Sequence, residues 1–279
     1  MGKIGENGMV YRVLSRKTAL KEVQEEYVVD SQYTVLAKEA FKNNIKLKKL
    51  DLTGIVTIEK QALFGCTAMK NASFARAMLI GKEAFANCSN LREAIFSPCL
   101  RQIGESAFFK CKRLQKAVFP ENKDCKNMPR QVFAECRSLK TVLLPKEIES
   151  IQEEAFYKCD SLEALVLPET LKRIENKGFY QCGFKEVALP ERLEYIGDSA
   201  FLKCKNLEYV YIPAGVKVIK KWAFHGCNAL KVLEIRHDPE EVGEWITNKN
   251  CVIRCYKGSF MENYAQEYGM QVEYLEKVQ

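Results

Sequence analysis

The feature that most constrains this chain is a pattern of residue types that returns about every 23 residues along most of its length. In one clear copy, Ile151 to Pro168, the apolar places are Ile151, Ala155, Phe156, Cys159, Leu162, Leu165 and Leu167. Gln152, Glu153, Glu154, Lys158, Asp160, Ser161 and Glu163 are polar between them. The first half has the spacing of a short helical turn and the second alternates as a strand does. The residue four before each Ala-Phe pair marks the register: Leu36, Ile58, Ile80, Ile103, Met128, Ile151, Ile174, Ile196 and Ile219. Steps are 22 or 23 residues except for one of 25, from Ile103 to Met128, whose additional residues lie in the polar stretch 121–127. A unit this short cannot bury its own apolar face, so the units must stack into one elongated domain.

Equivalent positions form columns. Phe41, Leu63, Phe85, Phe108, Phe133, Phe156, Phe179, Phe201 and Phe224 make a ladder that is Phe at all but one place, with a small residue before most of them. A strand column runs Leu52, Phe74, Phe96, Phe119, Leu144, Leu167, Leu189, Ile212 and Ile235, and proline follows it at 120, 145, 168, 190 and 213. Proline cannot donate to a ladder, so it should end each strand. Rings in successive units should stack near the strand separation of about 4.8 Å.

Twelve cysteines could mean disulfides or metal. Eight of them, Cys66, Cys88, Cys111, Cys136, Cys159, Cys182, Cys204 and Cys227, form another column, with Asn44 in the same slot of the first unit. Stacked equivalents about 5 Å apart are too far for a disulfide, so these read as small buried hydrophobes with inert thiols. A zinc set of His225, Cys227, His237, Cys251 and Cys255 matches no zinc signature, and no metal or cofactor is expected. Two histidines, scattered acids and a Gly81-Lys82 lacking the rest of a phosphate loop indicate no catalytic site.

The net charge of +7 is modest, without a block of five like charges, so nucleic acid is not an expected partner. No apolar run approaches the eighteen residues of a spanning helix. Residues 1–17 lack the apolar core of an export signal. As written the chain is expected to be cytoplasmic, and at the cell surface or secreted if a signal has been removed. A monomer is expected.

The ends depart from the pattern. Residues 1–35 read as a β-hairpin cap, with β-prone runs at Met9 to Leu14 and Ala19 to Val23 about a polar turn, then an extended segment near Tyr27. Residues 36–235 hold nine repeats. Residues 236–279 read as a closing cap: irregular from His237 to Asn250, a strand from Val252, a helix from Phe260 begun by Ser259 with Glu262 reaching back, and a strand at Val272 to Leu275.

The unit Ile196-Gly197-Asp-Ser-Ala200-Phe201-Leu-Lys-Cys204-Lys-Asn-Leu207-Glu-Tyr-Val210-Tyr-Ile212-Pro213 resembles the bacterial BspA-like leucine-rich repeat, and nine units match. The period lies within the range of roughly 20 to 29 residues for such repeats. The resemblance implies a right-handed leucine-rich-repeat solenoid of α/β type, β-rich, with a continuous sheet and short helical or 3₁₀ turns. It implies binding of partners at bacterial surfaces rather than chemistry.

The strand residue between the last two core positions should be exposed, in a column running Asp51, Ser73, Ile95, Val118, Leu143, Val166, Ala188, Tyr211 and Glu234. Ile95, Val118, Leu143 and Val166, with Ala164, Tyr209 and Tyr211, form a contiguous apolar and aromatic surface of the kind partners bind, so a protein partner is expected there. Beside it runs a basic margin, Lys48, Lys70, Arg92, Lys140, Lys185 and Lys231, broken by Gln115, Glu163 and Glu208, which would suit a glycan or other polyanion, and a structural spacer is the remaining alternative.

Overall fold

The computed structural model describes residues 3–4, 10–21, 24–121 and 123–276. They form a β-solenoid of about eleven coils. Each coil gives a two-residue strand at the Ile column, then a tight turn carrying Phe and Cys, then on most coils a second strand on the face expected to bind. The Ile-column strands pair in parallel, Leu36 opposite Ile58 and Ile151 opposite Ile174 for example, in ladders of five and six strands. Every Phe of the ladder is fully buried. From Phe85 to Phe224 successive rings stack with centroids 5.0 to 5.7 Å apart.

The turn between strands has the apolar spacing of a helix but not its backbone. In the coil from Ile151, Glu154 and Lys158 both take left-handed φ of 57°. Alternate amides therefore point in different directions. Ala155, Tyr157 and Cys159 bond locally to the carbonyls of Gln152, Glu154 and Phe156. Glu154, Phe156 and Lys158 donate instead to Asn176, Gly178 and Tyr180 of the next coil at 2.8 to 3.0 Å. The chain thus builds linked turns, because the left-handed residues stop a helix and send every second amide across the stack.

The cysteine column has a specific bond. Each thiol donates to the carbonyl of the Phe-column residue one coil earlier: Cys159 to Phe133 at 3.3 Å, Cys182 to Phe156 at 3.2 Å. That carbonyl already accepts an amide, as Phe133 does from Cys136 and Phe156 from Cys159, so the thiol uses its second lone pair. No disulfide forms among the twelve cysteines. Burial pushes the thiols of Cys88, Cys111, Cys136, Cys159 and Cys182 far above their ordinary range.

One interruption has a chemical cause. Gly104 donates its amide to Ile80, and Gln152 donates to Met128, but the equivalent residue between them is Pro129, which has no N–H for Ile103. Here the Ile-column ladder divides, beside the inserted residues 121–127, and a cleft of about 350 Å³ opens.

The ends differ from expectation in two places. Ala19 lies in a helix, α1 (Arg16–Lys21), not in a hairpin strand, because Ser15 accepts the Thr18 amide as a cap and good helix formers follow. Met9 and Val23 lie outside the described residues. An antiparallel hairpin does exist earlier, between Lys3–Ile4 and Val10–Tyr11. Val13–Leu14 joins the parallel ladder beside Val35–Leu36, so the first coil begins within the expected cap. At the other end Glu241–Val242 extends the six-stranded ladder, beside Val218–Ile219, through a segment expected to be irregular. Thr247 is fully buried there, and Trp245 repeats the left-handed turn of Trp222. Val252–Cys255 is followed by α2 (Phe260–Glu267), capped by Ser259 with Glu262 reaching back to the Gly258 amide, and by Val272–Tyr274.

Two stability predictions arise. Phe156→Ala should cost about 3 to 5 kcal/mol, with faster hydrogen exchange in both neighbouring coils because each coil is held only by its neighbours. An unchanged melt with unchanged exchange would refute it. The buried thiols add a pH dependence. Unfolded, they ionise near pH 8.5 and folded far higher, so above pH 9 the unfolded state binds fewer protons and stability falls by about 1.4 kcal/mol per pH unit for each thiol. Urea midpoints between pH 8 and 10 should therefore decline less steeply for Cys111→Ala/Cys159→Ala than for the parent, and parallel declines would contradict it.

Candidate binding surface

On the strand face Glu93–Ile95, Lys116–Val118 and Thr141–Leu143 pair in parallel, placing Ile95, Val118 and Leu143 side by side. Ile95 is 46% exposed, Leu143 54% and Val166 87%, while Val118 is half-buried and Ala164 exposed. Tyr209 is 43% exposed and Tyr211 half-buried on Tyr209–Ile212, which begins a four-stranded stretch with Val232–Ile235, Val252–Cys255 and Val272–Tyr274. The face is therefore one surface in course, but its ladder bonds come in three stretches, the first being Glu26–Val28, Lys49–Asp51 and Asn71–Ser73.

Glu234 does not lie on the surface as its column predicted. It is 2% exposed, because three neighbours close over it. Tyr209 donates its hydroxyl to Glu234 at 2.9 Å, Arg236 donates Nε at 2.6 Å, and Arg254 bonds it at 3.0 Å while also holding Glu273. Burial alone would raise the Glu234 carboxyl, but the bonds from Arg236, Arg254 and Tyr209 outweigh it and hold the group below its ordinary range. Tyr211 lies beneath the Arg236 guanidinium, 5.6 Å from ring centroid to Cζ. Both tyrosines are thus held before any partner arrives, which lowers the entropy cost of using them.

The basic margin is partly neutralised. Lys48 pairs with Glu25 at 2.7 Å, Lys185 with Glu163 at 3.4 Å and Lys231 with Glu208 at 3.8 Å, so the acids that break the row serve its lysines. Lys70, Arg92 and Lys140 are exposed and have no ion pair among the described residues. Lys112, Arg113 and Lys116, on the coil between Arg92 and Lys140, are exposed and likewise without one. Following a single column met only Gln115 on that coil and missed them.

The residues considered for zinc are dispersed among other bonds. Cys227 donates to Phe201, His225 Nδ1 lies 3.4 Å from the Thr247 carbonyl, and His237 Nε2 lies 2.7 Å from that of Val216. Among the described residues no three His, Cys, Asp or Glu side chains gather to hold a metal, and no helix is long and apolar enough to cross a membrane.

The family model described as BspA type leucine rich repeat region matches residues 21–140 and 126–253, in six copies. Among solved structures, a leucine-rich repeat protein from Bacteroides ovatus superposes with a TM-score of 0.56 at 19% identity, over 92% of this chain and 85% of that one. The pneumococcal vaccine antigen PcpA superposes with a TM-score of 0.54 at 15% identity, over 99% and 82%. Identities this low show a shared fold. No curated protein matches in sequence.

Proposed function

Since the chain belongs to the BspA-type leucine-rich-repeat family, we propose that it is a non-catalytic binding module that takes a protein partner across its strand face, in an adhesive role. The contact residues on this reading are Ile95, Val118, Leu143, Ala164, Val166, Tyr209 and Tyr211. The observation that carries it is a contiguous apolar column beside two tyrosines already fixed by Glu234 and Arg236. Aromatic side chains that need little ordering are what binding hot spots use.

Leu143 and Tyr211 point away from the core, so Leu143→Glu/Tyr211→Glu should keep the melting temperature. It should weaken partner binding by about thirtyfold, the loss of a hot spot worth roughly 2 kcal/mol. The check is a pull-down from cells of the source organism and its host with both proteins, followed by affinity measurement on whatever the parent retains. Equal retention by parent and variant would leave the patch an ordinary sheet surface.

A second reading, polyanion or glycan binding, is favoured by the uncompensated cations Lys70, Arg92, Lys112, Arg113, Lys116 and Lys140 on neighbouring coils. On this reading Lys48, Lys185 and Lys231 contribute little, since each already has a carboxylate. Heparin retention should then fall steeply with salt and drop in Arg92→Gln/Lys116→Gln, whereas low-salt elution of the parent would eliminate the reading.

A further inference from the structure

The strand face is open at its centre. Thr141–Leu143 is bonded on the side of Lys116–Val118, and Tyr209–Ile212 on the side of Val232–Ile235. Between them residues 164–166 and 186–188 run without ladder partners among the described residues. On the two coils just before it the strand exit is closed by an amide, Phe96 donating to Val118 at 2.9 Å and Phe119 to Leu143 at 3.0 Å, while the Phe74 amide, at the single junction between the first two stretches, has no such bond. The equivalent amides of Leu144, Leu167 and Leu189 have no such bond. At the two later junctions the entry ends stay joined, Lys185 donating to Glu163 and Glu208 to Lys185, both at 3.3 Å, whereas Glu163 makes no such bond to Lys140. The coils of residues 164–166, 186–188 and 209–212 therefore spread from their entry toward their exit.

Exposure reports the same spreading independently. The inward residues Val142, Leu165, Leu167, Val187 and Leu189 retain 6% to 9%, whereas Val210, Ile212 and Leu233 retain 0%. The coil from Ile174, one residue short, borders the opening. It turns at Gly183, where a Cβ would sit 2.4 Å from the Asp160 carbonyl oxygen. A cleft of about 530 Å³ lies between this coil and the next, lined by Val187, Ala188, Leu189, Tyr209 and Tyr211.

We infer that this opening receives an extended polypeptide segment of the partner, bonded through its main chain, with an apolar side chain in the cleft. The inference rests on the binding role proposed for this face and deepens it. Unpaired amides and carbonyls along extended chains recur with period two, and another extended chain matches that row. A convex folded surface would meet the side chains and leave the row unpaired, and a sugar lacks the repeat. Charge narrows the segment further. Lys185 and Glu208 at the cleft are paired with Glu163 and Lys231, while Glu186 has no ion pair among the described residues. The segment is therefore apolar at alternate positions, with a Lys or Arg beside Glu186.

The test is selection of a displayed random-sequence peptide library on the full chain, counter-selected on Tyr211→Glu. The expected peptides alternate apolar residues and carry a basic one, and selection on Glu186→Lys should replace that residue by an acidic one. N-methylation of one peptide amide at a time should weaken binding about tenfold at alternate residues, the loss of one main-chain bond, and have little effect at those between. Peptides that require Tyr211 but tolerate N-methylation throughout would overturn strand insertion and leave face binding standing. No enrichment on the parent over Tyr211→Glu would overturn both.

Discussion

The structure depends on a backbone bond made by residues in an unfavourable conformation. In coil after coil the residue before Ala-Phe is left-handed, and its amide donates to the next coil: Glu39 to Lys60, Gln61 to Lys82, Gln131 to Glu153, Glu154 to Asn176, Ser199 to Lys221. Left-handed φ costs a residue with a Cβ about 1 to 2 kcal/mol. It persists because the reoriented amide finds a carbonyl in a buried stack, where an unmade bond would cost as much or more. The conformation is stable only when a neighbour is present, so no coil is complete alone and the array is cooperative along its axis.

That bond explains the columns on either side of it. Phe lies between the two left-handed residues of a coil, directed inward where the rings of Phe133, Phe156 and Phe179 stack at 5.3 to 5.6 Å. Cys follows the second left-handed residue, close enough to the preceding coil for its thiol to reach a Phe carbonyl. Alanine there would lack the donor. In the first repeat Asn44 occupies that place and uses its side-chain oxygen to cap the amides of Lys46 and Leu47. The geometry also tolerates local failure. Where Pro129 withholds an amide, the coils remain joined through Ser106 to Arg130 and Phe108 to Val132.

The stack, the buried columns and the exposed apolar row were legible in the sequence because each is written many times over. What was not legible is what side-chain type does not encode. Glu, Gln, Lys and Ser give no sign of left-handed φ, so the turn looked like a helix. The terminal coils were hidden because Ala19 and Thr247 replace Phe, although Leu14 and Val242 keep apolar residues where their short strands join the ladder. Glu234 alternates as a surface residue should, and it is buried by Arg236 together with the distant Arg254 and Tyr209. The basic margin needed pairing information, since Glu163 and Glu208 act on Lys185 and Lys231 from adjacent coils.

The division of labour within a coil follows from these constraints. On the turn side almost every amide is committed to a neighbouring coil, and substitution there acts on the fold. On the strand side the ladder is firm from Glu93 to Leu143 and again from Tyr209, but slack between. The strand column changes from Phe96 and Phe119, whose rings stack at 4.1 Å, to Leu144, Leu167 and Leu189 on entering the slack region. Smaller core residues there give up the aromatic contact that draws adjacent strands together. The turns on the other side still hold the stack, so the face can open without unfolding the array, and the exposed Val166 stands where the backbone is least bound to its own chain.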